Sequence, residues 1–152
     1  MKEKMSFQEK QSILSLFNGI IILGIYSIYV YQKYLLSTPE IINDFKFWGK
    51  IFVILIPIVI VVQIVMHILF YIGNTIITRE NPPEKQDEMD KLIELKSMRL
   101  SHWIFILGFF LAMGSQALEM ANWVMFVCLI GFGFAAGFAS DMAKIYYYRK
   151  GV

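Results

Sequence analysis

The chain has 152 residues, of which 57% are hydrophobic and 17% are charged, with a formal net charge of +2. An ordinary soluble domain has about 45–50% apolar and about 25% charged residues. The charged residues leave four uncharged segments of 22, 28, 19 and 21 residues. Each segment reaches the length of about 18 residues that is typical of a transmembrane helix. This pattern excludes a soluble globular enzyme and a domain that binds nucleic acid directly.

The four uncharged segments predict an all-α polytopic membrane protein, built as one antiparallel bundle of four transmembrane helices. The apolar runs do not alternate with the period of two that β-barrel strands show. The polar stretch over 79–99 is too short to bury a core of its own. We therefore expect a single membrane domain over 1–152, with transmembrane helices over 12–36, 47–77, 100–118 and 122–147.

The first two predicted helices each carry polar residues that need partners inside the protein. One face of the first helix, at 100° per residue, contains Ser15, Asn18, Ile22, Ile25, Tyr29 and Gln32. Because polar atoms in lipid must be satisfied by the protein itself, we expect this face to point into the bundle. The second helix carries a polar stripe of Gln63, His67 and Asn74, and Pro57 gives it a site for a kink.

A charged segment precedes the third transmembrane helix. After Pro82 and Pro83, residues 84–99 contain neither Gly nor Pro, which favours a juxtamembrane helix continuous with the transmembrane helix. Acidic residues share one side of this helix, opposite an apolar side. In one reading, they form a solvent-exposed face that is crossed by ion pairs. In a second reading, the acidic residues Asp87, Asp90 and Glu94 hold a divalent cation. In a third, the segment docks a partner through a face consisting of Asp87, Asp90, Glu94, Lys96 and Arg99.

Small residues recur on the third and fourth predicted helices, where they allow two helix backbones to approach closely. One face of the third helix contains Ser101, Gly108, Ala112, Ser115 and Glu119. On the fourth helix one sector contains Gly133, Gly137, Ser140, Asp141 and Lys144. We expect these two helices to pack as a tight antiparallel pair through these faces.

The distribution of cations predicts the orientation. Eleven of the fourteen Lys and Arg residues lie in the N-terminal tail, in the 79–99 segment or near the C-terminus. Since Lys and Arg collect on the cytoplasmic side, we expect both termini and the 79–99 segment to be cytoplasmic. The predicted location is the inner (plasma) membrane, which the chain crosses several times.

The candidate intramembrane site is a polar cluster of Gln63, His67, Asn74, Asp141 and Lys144. Asp141 and Lys144 form either a structural pair one turn apart or, with His67 opposite Asp141, a site that responds to protons or cations. Two histidines and the single Cys128 do not make a zinc site. No catalytic residues, metal or cofactor are expected, and we expect the protein not to be an enzyme.

The pattern Asp87-Glu88-x-Asp90-x-x-Ile93-x-x-Lys96-x-x-Arg99, with the ending Tyr147-Tyr148-Arg149-Lys150-Gly151-Val152, resembles a known group. These are small four-helix prokaryotic integral membrane proteins, classed as a domain of unknown function. The resemblance covers mainly residues 79–152. Members of that group are often encoded beside a small helix-turn-helix regulator, which implies a regulatory role.

Two functions fit the sequence. In the first, a non-enzymatic membrane protein docks a cytoplasmic regulatory protein through its 79–99 segment. In the second, a small transporter or channel, working as a homo-oligomer, uses a polar path that passes Asp141, His67 and Asn18. Beyond the lipid bilayer, a second copy and a cytoplasmic protein, no partner is indicated.

Overall fold

A computed structural model describes residues 5–79 and 87–151, and every regular element within these ranges is helical. Helix α1 spans Phe7–Val30 and continues through a π-helical turn at Tyr31–Leu35. After a 3-10 turn at Pro39–Asn43, the remaining helices are α2 (Phe45–Thr78), α3 (Glu88–Ala117) and α4 (Asn122–Lys150). All four are long and apolar enough to cross a membrane. This confirms the prediction of an all-α chain with four membrane-length helices.

Helix α1 begins at Phe7, earlier than the predicted residue 12, because a capping box starts it. The Ser6 hydroxyl accepts a hydrogen bond from the Glu9 amide at 3.1 Å, and the Glu9 carboxylate accepts one from the Ser6 amide at 2.8 Å. The two side chains satisfy backbone donors that a helix start otherwise leaves free. The helix therefore reaches beyond the uncharged segment that predicted it.

The juxtamembrane helix and the third transmembrane helix are one element, as expected. Asp87 caps α3, and Asp90 accepts a hydrogen bond from the Asp87 amide at 3.1 Å. From there the helix runs without interruption to Ala117. Residues 80–86, including the predicted break at Pro82 and Pro83, lie outside the described residues.

Helix α4 lies at the centre of the bundle. It packs along its length against α3 and also against α1, and α1 packs in turn against α2. Among the described residues, α2 and α3 make no backbone contact with each other. The bundle is therefore open between α2 and α3, and we call this opening the seam.

The close approach of α3 and α4 is confirmed, but the predicted face of α4 is wrong. A Cβ added at Gly108 would overlap Phe132, so Phe132 fills the space over this glycine. Phe132, Ala136 and Ala143 lie on one face of α4, and both alanines are buried. Gly133 and Gly137 meet nothing where a Cβ would stand, because they face a cavity instead of α3.

The inward face of α1 also differs from the prediction in its second half. Asn18 and Ile22 are buried as expected, whereas Ile25 is 65% exposed; Tyr29 and Gln32 are exposed as well. From Ile22 onward the buried positions follow a spacing of four residues, through half-buried Tyr26 to Val30. The predicted face advanced three residues from Ile22 to Ile25, and that step rotated it away from the bundle.

An aromatic cluster fixes the end of the bundle where α1 ends and α2 begins. The Trp48 ring stacks on Phe126 of α4 with centroids 5.4 Å apart, and its indole N–H donates to the Ile42 carbonyl at 2.7 Å. The Tyr26 hydroxyl donates to the Ile51 carbonyl at 2.9 Å. Buried rings with satisfied polar atoms hold an interface firmly, so α1, α2 and α4 are joined here.

Candidate functional site

The opposite end of the bundle is held by polar side chains, and we call it the charged end. Here the first turns of α1 and α3 meet the last turns of α4. Arg149 pairs with the buried carboxylate of Glu9 at 3.1 Å. Asp90 accepts hydrogen bonds from the Tyr148 hydroxyl at 3.0 Å and from the Gln8 amide group at 3.2 Å. These bonds join three helices whose ends are far apart in the sequence.

A cavity of about 260 Å³, the polar cavity, opens at the charged end. Its walls come from all four helices. Three carboxylates, those of Asp90, Glu94 and Asp141, face one lysine, Lys144, and one imidazole, His67. The other lining residues are uncharged polar ones: Gln8, Gln11, Ser12, Ser15 and Tyr148. Among the described lining residues, carboxyl groups therefore outnumber ammonium groups by three to one.

A second cavity of about 370 Å³, the apolar chamber, lies deeper in the bundle. Side chains of α1, α2 and α4 form most of its wall, and Phe105 of α3 contributes from the other side of the seam. Its lining is mainly aromatic and aliphatic, with Gly133 and Gly137 leaving room on α4. Ser15 and Asp141 line both cavities. The two cavities therefore meet at these residues.

We call this meeting point the junction; it contains Ser15, Gln63, His67 and Asp141. The Gln63 amide group donates to the Ser15 carbonyl at 3.5 Å, and the Ser15 hydroxyl interacts with the Asp141 carboxylate. His67 Nδ1 lies 2.7 Å from the Gln63 backbone carbonyl. Because a carbonyl oxygen only accepts, this contact assigns the proton to Nδ1. The buried oxygen Oε1 of Gln63 has no hydrogen-bond partner among the described residues.

The length of α4 between Trp123 and the junction is close to the thickness of a membrane core. Asp141 follows Trp123 by 18 residues, which corresponds to about 27 Å along a helix. Trp residues favour the membrane interface, and the hydrocarbon core is about 30 Å thick. With Trp123 at one interface, Asp141 is therefore close to the other, and the apolar chamber extends from it toward the membrane interior.

Four of the five residues of the predicted intramembrane cluster come together in the structure. His67, Asp141 and Lys144 line the polar cavity, while Gln63 lines the apolar chamber beside Asp141. Asn74 does not join them, and its amide group donates to the Thr78 hydroxyl at 3.5 Å. The seven residues from His67 to Asn74 correspond to about 10 Å along α2, which carries Asn74 past the cavities.

The five residues of the predicted docking face do not form one outward surface. Asp90 and Glu94 turn toward the polar cavity, and Asp87 caps α3. Lys96 and Arg99 are exposed, and the Lys96 ammonium lies 5.8 Å from the centre of the Tyr147 ring. The acidic and basic residues thus point in different directions from the same helix.

Several lining residues were missed by the sequence reasoning. Gln8, Gln11, Ser12 and Tyr148 lie outside the predicted transmembrane helices or at their ends. The available signal was the capping pattern Ser6-x-x-Glu9, which extends α1 to Phe7 and places its first polar turns in the same helix as Ser15. With that extension, Gln8, Ser12 and Ser15 follow helical spacing on one side.

Within residues 5–79 and 87–151, no group of three His, Cys, Asp or Glu side chains is arranged to hold a metal ion. Comparisons with protein-family models, curated proteins and solved structures find no match to this chain. The resemblance to small membrane proteins of unknown function therefore stays a prediction.

Proposed function

We propose that this protein is a small membrane transporter whose path runs through the polar cavity, the junction and the apolar chamber. The observation that carries the proposal is that Asp141 and Ser15 line both cavities. Ionisable groups within or at the edge of a membrane are costly, and they mark substrate or ion pathways. A carboxylate at the boundary between a polar cavity and an apolar one is placed to pass a charged group between them.

In this proposal the charged end lies in the cytoplasm and the chain spans the plasma membrane, since most Lys and Arg residues collect at that end. At the seam between α2 and α3, the apolar chamber has a lateral boundary that no described helix closes. A second copy packed at the seam would complete that wall. We therefore include a homo-oligomer as the transporting unit.

The proposal is tested by flux in proteoliposomes containing the full chain. The assay measures proton, alkali-cation and organic-cation movement for the unaltered protein and for Asp141→Asn. Loss of a charge-assisted hydrogen bond costs about 1.5–3 kcal/mol, so we expect Asp141→Asn to lower the flux about tenfold or more. Glu119→Gln, at the turn between α3 and α4, is the matched control and keeps the flux. Folded protein without flux for any of these cations contradicts the proposal.

A second proposed function is docking of a cytoplasmic regulatory protein on the first half of α3. The supporting observation is an outward surface that combines the cations Lys96 and Arg99 with exposed Leu92, Leu95 and Met98. The resemblance described above adds a helix-turn-helix regulator as the type of partner. Crosslinking mass spectrometry on native membranes tests this function. Crosslinks from 88–99 that disappear in Lys96→Glu/Arg99→Glu support it, and the absence of crosslinks to any cytoplasmic protein contradicts it.

A further inference from the structure

We infer that the junction binds the protonated amine of an amphiphilic molecule whose apolar tail occupies the apolar chamber. The inference rests on the proposed function, because it names the class of molecule taken by the same site. Three observations carry it: the charge around the polar cavity, the hydrogen-bond acceptors at the junction, and the apolar lining beyond them. Each one restricts the chemistry of the ligand further.

The charge favours a cation. Among the described residues, Asp90, Glu94 and Asp141 line the polar cavity together with a single ammonium group, that of Lys144. His67 is oriented by its Nδ1, which donates to the Gln63 carbonyl at 2.7 Å. An anionic head group would enter a cavity that three carboxyl groups line, and like charges in a partly desolvated site repel strongly. A cationic head group neutralises part of this excess.

The acceptors favour a cation that carries N–H groups. Gln63 Oε1 is buried and has no hydrogen-bond partner in the part of the chain that the structure describes, and an unpaired buried acceptor has a cost that a ligand donor removes. Asp141 lines the same chamber as Gln63, and both residues contact Ser15. An ammonium group has three donors, which suits a site where one chamber is lined by both a carboxylate and an amide side chain. A quaternary ammonium carries the charge but has no N–H to donate.

The lining beyond the junction requires an apolar tail. The apolar chamber measures about 370 Å³ and is bordered by Phe52, Phe105, Phe134 and Phe138. Small-molecule sites of this kind are mostly apolar, with a few polar groups that fix the orientation of the ligand. An aryl-alkyl chain attached to the amine fits this division, with its ring among the phenylalanines and its nitrogen at Asp141.

The test measures binding to the full chain in nanodiscs of phosphatidylcholine, a zwitterionic lipid that does not attract amines by net charge. The probe is tritiated 4-phenylbutylamine, detected by scintillation proximity. The competitors share the same tail and differ only in the head group: unlabelled 4-phenylbutylamine, 4-phenylbutyl-trimethylammonium and 4-phenylbutane-sulfonate. We expect competition in that order, with the quaternary ammonium several-fold weaker than the amine and the sulfonate ineffective.

Two variants test separately the proposed contacts of the amine with Asp141 and with Gln63. Asp141→Asn is expected to weaken binding of the amine about tenfold or more, because a charge-assisted hydrogen bond is lost. Gln63→Met removes the Oε1 acceptor at similar volume, and should weaken the amine several-fold while leaving the quaternary ammonium unchanged. The matched controls are Glu119→Gln for the carboxylate and Asn74→Leu for an amide on the same helix outside both cavities. Both controls are expected to bind the amine normally.

Equal competition by the sulfonate overturns the inference, as does unchanged amine binding in folded Asp141→Asn. An equal loss for amine and quaternary ammonium in Gln63→Met also overturns it, since a purely structural change affects both. The head-group series uses the unaltered protein, so it decides the matter even when a variant does not fold. Amine binding without flux contradicts transport alone, whereas Asp141-dependent flux without amine binding contradicts this inference alone.

Discussion

The close packing of α3 against α4 depends on the absence of a side chain at Gly108. A Cβ at this position would overlap the Cβ of Phe132, an atom fixed by the α4 backbone. The far end of a flexible side chain moves aside at little cost, but an atom next to the backbone moves only with its helix. The spacing of the two helices is therefore set at this contact.

We predict that Gly108→Ala destabilises the protein by about 1–3 kcal/mol, the usual cost of overpacking a close interface. The matched control is Gly114→Ala on the same helix, where an added Cβ meets nothing within 4 Å. There the higher helix propensity of Ala is expected to leave stability unchanged or to raise it by up to about 1 kcal/mol. Thermal unfolding in detergent micelles measures both variants, and equal transition temperatures would show that the contact does not limit packing.

This interface also shows what the sequence reveals at the level of residues. The spacing of small residues correctly predicted the face of α3 that includes buried Gly108 and Ala112. The same reasoning failed for α4, where it selected Gly133 and Gly137 instead of Phe132. The space over a glycine on one helix can be filled by an aromatic ring on the next. The positions of small residues therefore do not predict which residues of the neighbouring helix pack against them.

At the scale of elements, the start of α1 is held by hydrogen bonds to α3 and α4. Asp90 is the shared acceptor, since it receives bonds from Gln8, from Tyr148 and from the Asp87 amide. Helix ends fray unless such contacts hold them. The first turns of α1 form part of the polar cavity wall, so these bonds also maintain the shape of the site.

We predict that Tyr148→Phe loosens the first turns of α1 and α3 without unfolding the bundle. Loss of one partly exposed hydrogen bond of about 1 kcal/mol corresponds to amide exchange roughly fivefold faster in the affected peptides. Tyr146→Phe is the control, because Tyr146 is 53% exposed and its ring faces Lys150 instead of α3. Hydrogen-exchange mass spectrometry compares the two variants over residues 7–12 and 88–94. Identical exchange in both would exclude a role for the Tyr148 hydroxyl.

The four helices could be predicted from the sequence, but the contacts between them could not. Gaps between charged residues located all four helices, and the run of helix formers before residue 99 predicted the continuous α3. Helices α1 and α2 start earlier than predicted, at Phe7 and Phe45, since the polar caps Ser6 and Asp44 extend them beyond the uncharged segments. The polar cavity combines residues as far apart as Gln8 and Tyr148. Helical periodicity describes one helix at a time and carries no information on such pairs.

At the scale of the whole molecule, we predict that the charged end faces the cytoplasm. The reason is the excess of Lys and Arg residues at that end, which resist translocation. Single cysteines at Met89 and Leu118, both exposed, are introduced into a Cys128→Ala background. In intact cells an impermeant maleimide is expected to label Leu118→Cys. Met89→Cys should react only after the membrane is permeabilised, and the reverse pattern would invert the orientation.

The seam between α2 and α3 changes how occupancy of the apolar chamber is measured. In a bilayer, wherever a second copy does not cover the seam, acyl chains of the surrounding lipid would reach it, and a hydrophobic guest would enter without crossing water. The quantity that governs its binding is then the mole fraction in the lipid phase instead of the molar concentration in buffer. Doubling the lipid at constant amount of guest halves that fraction, and lipid itself becomes a competitor for the chamber.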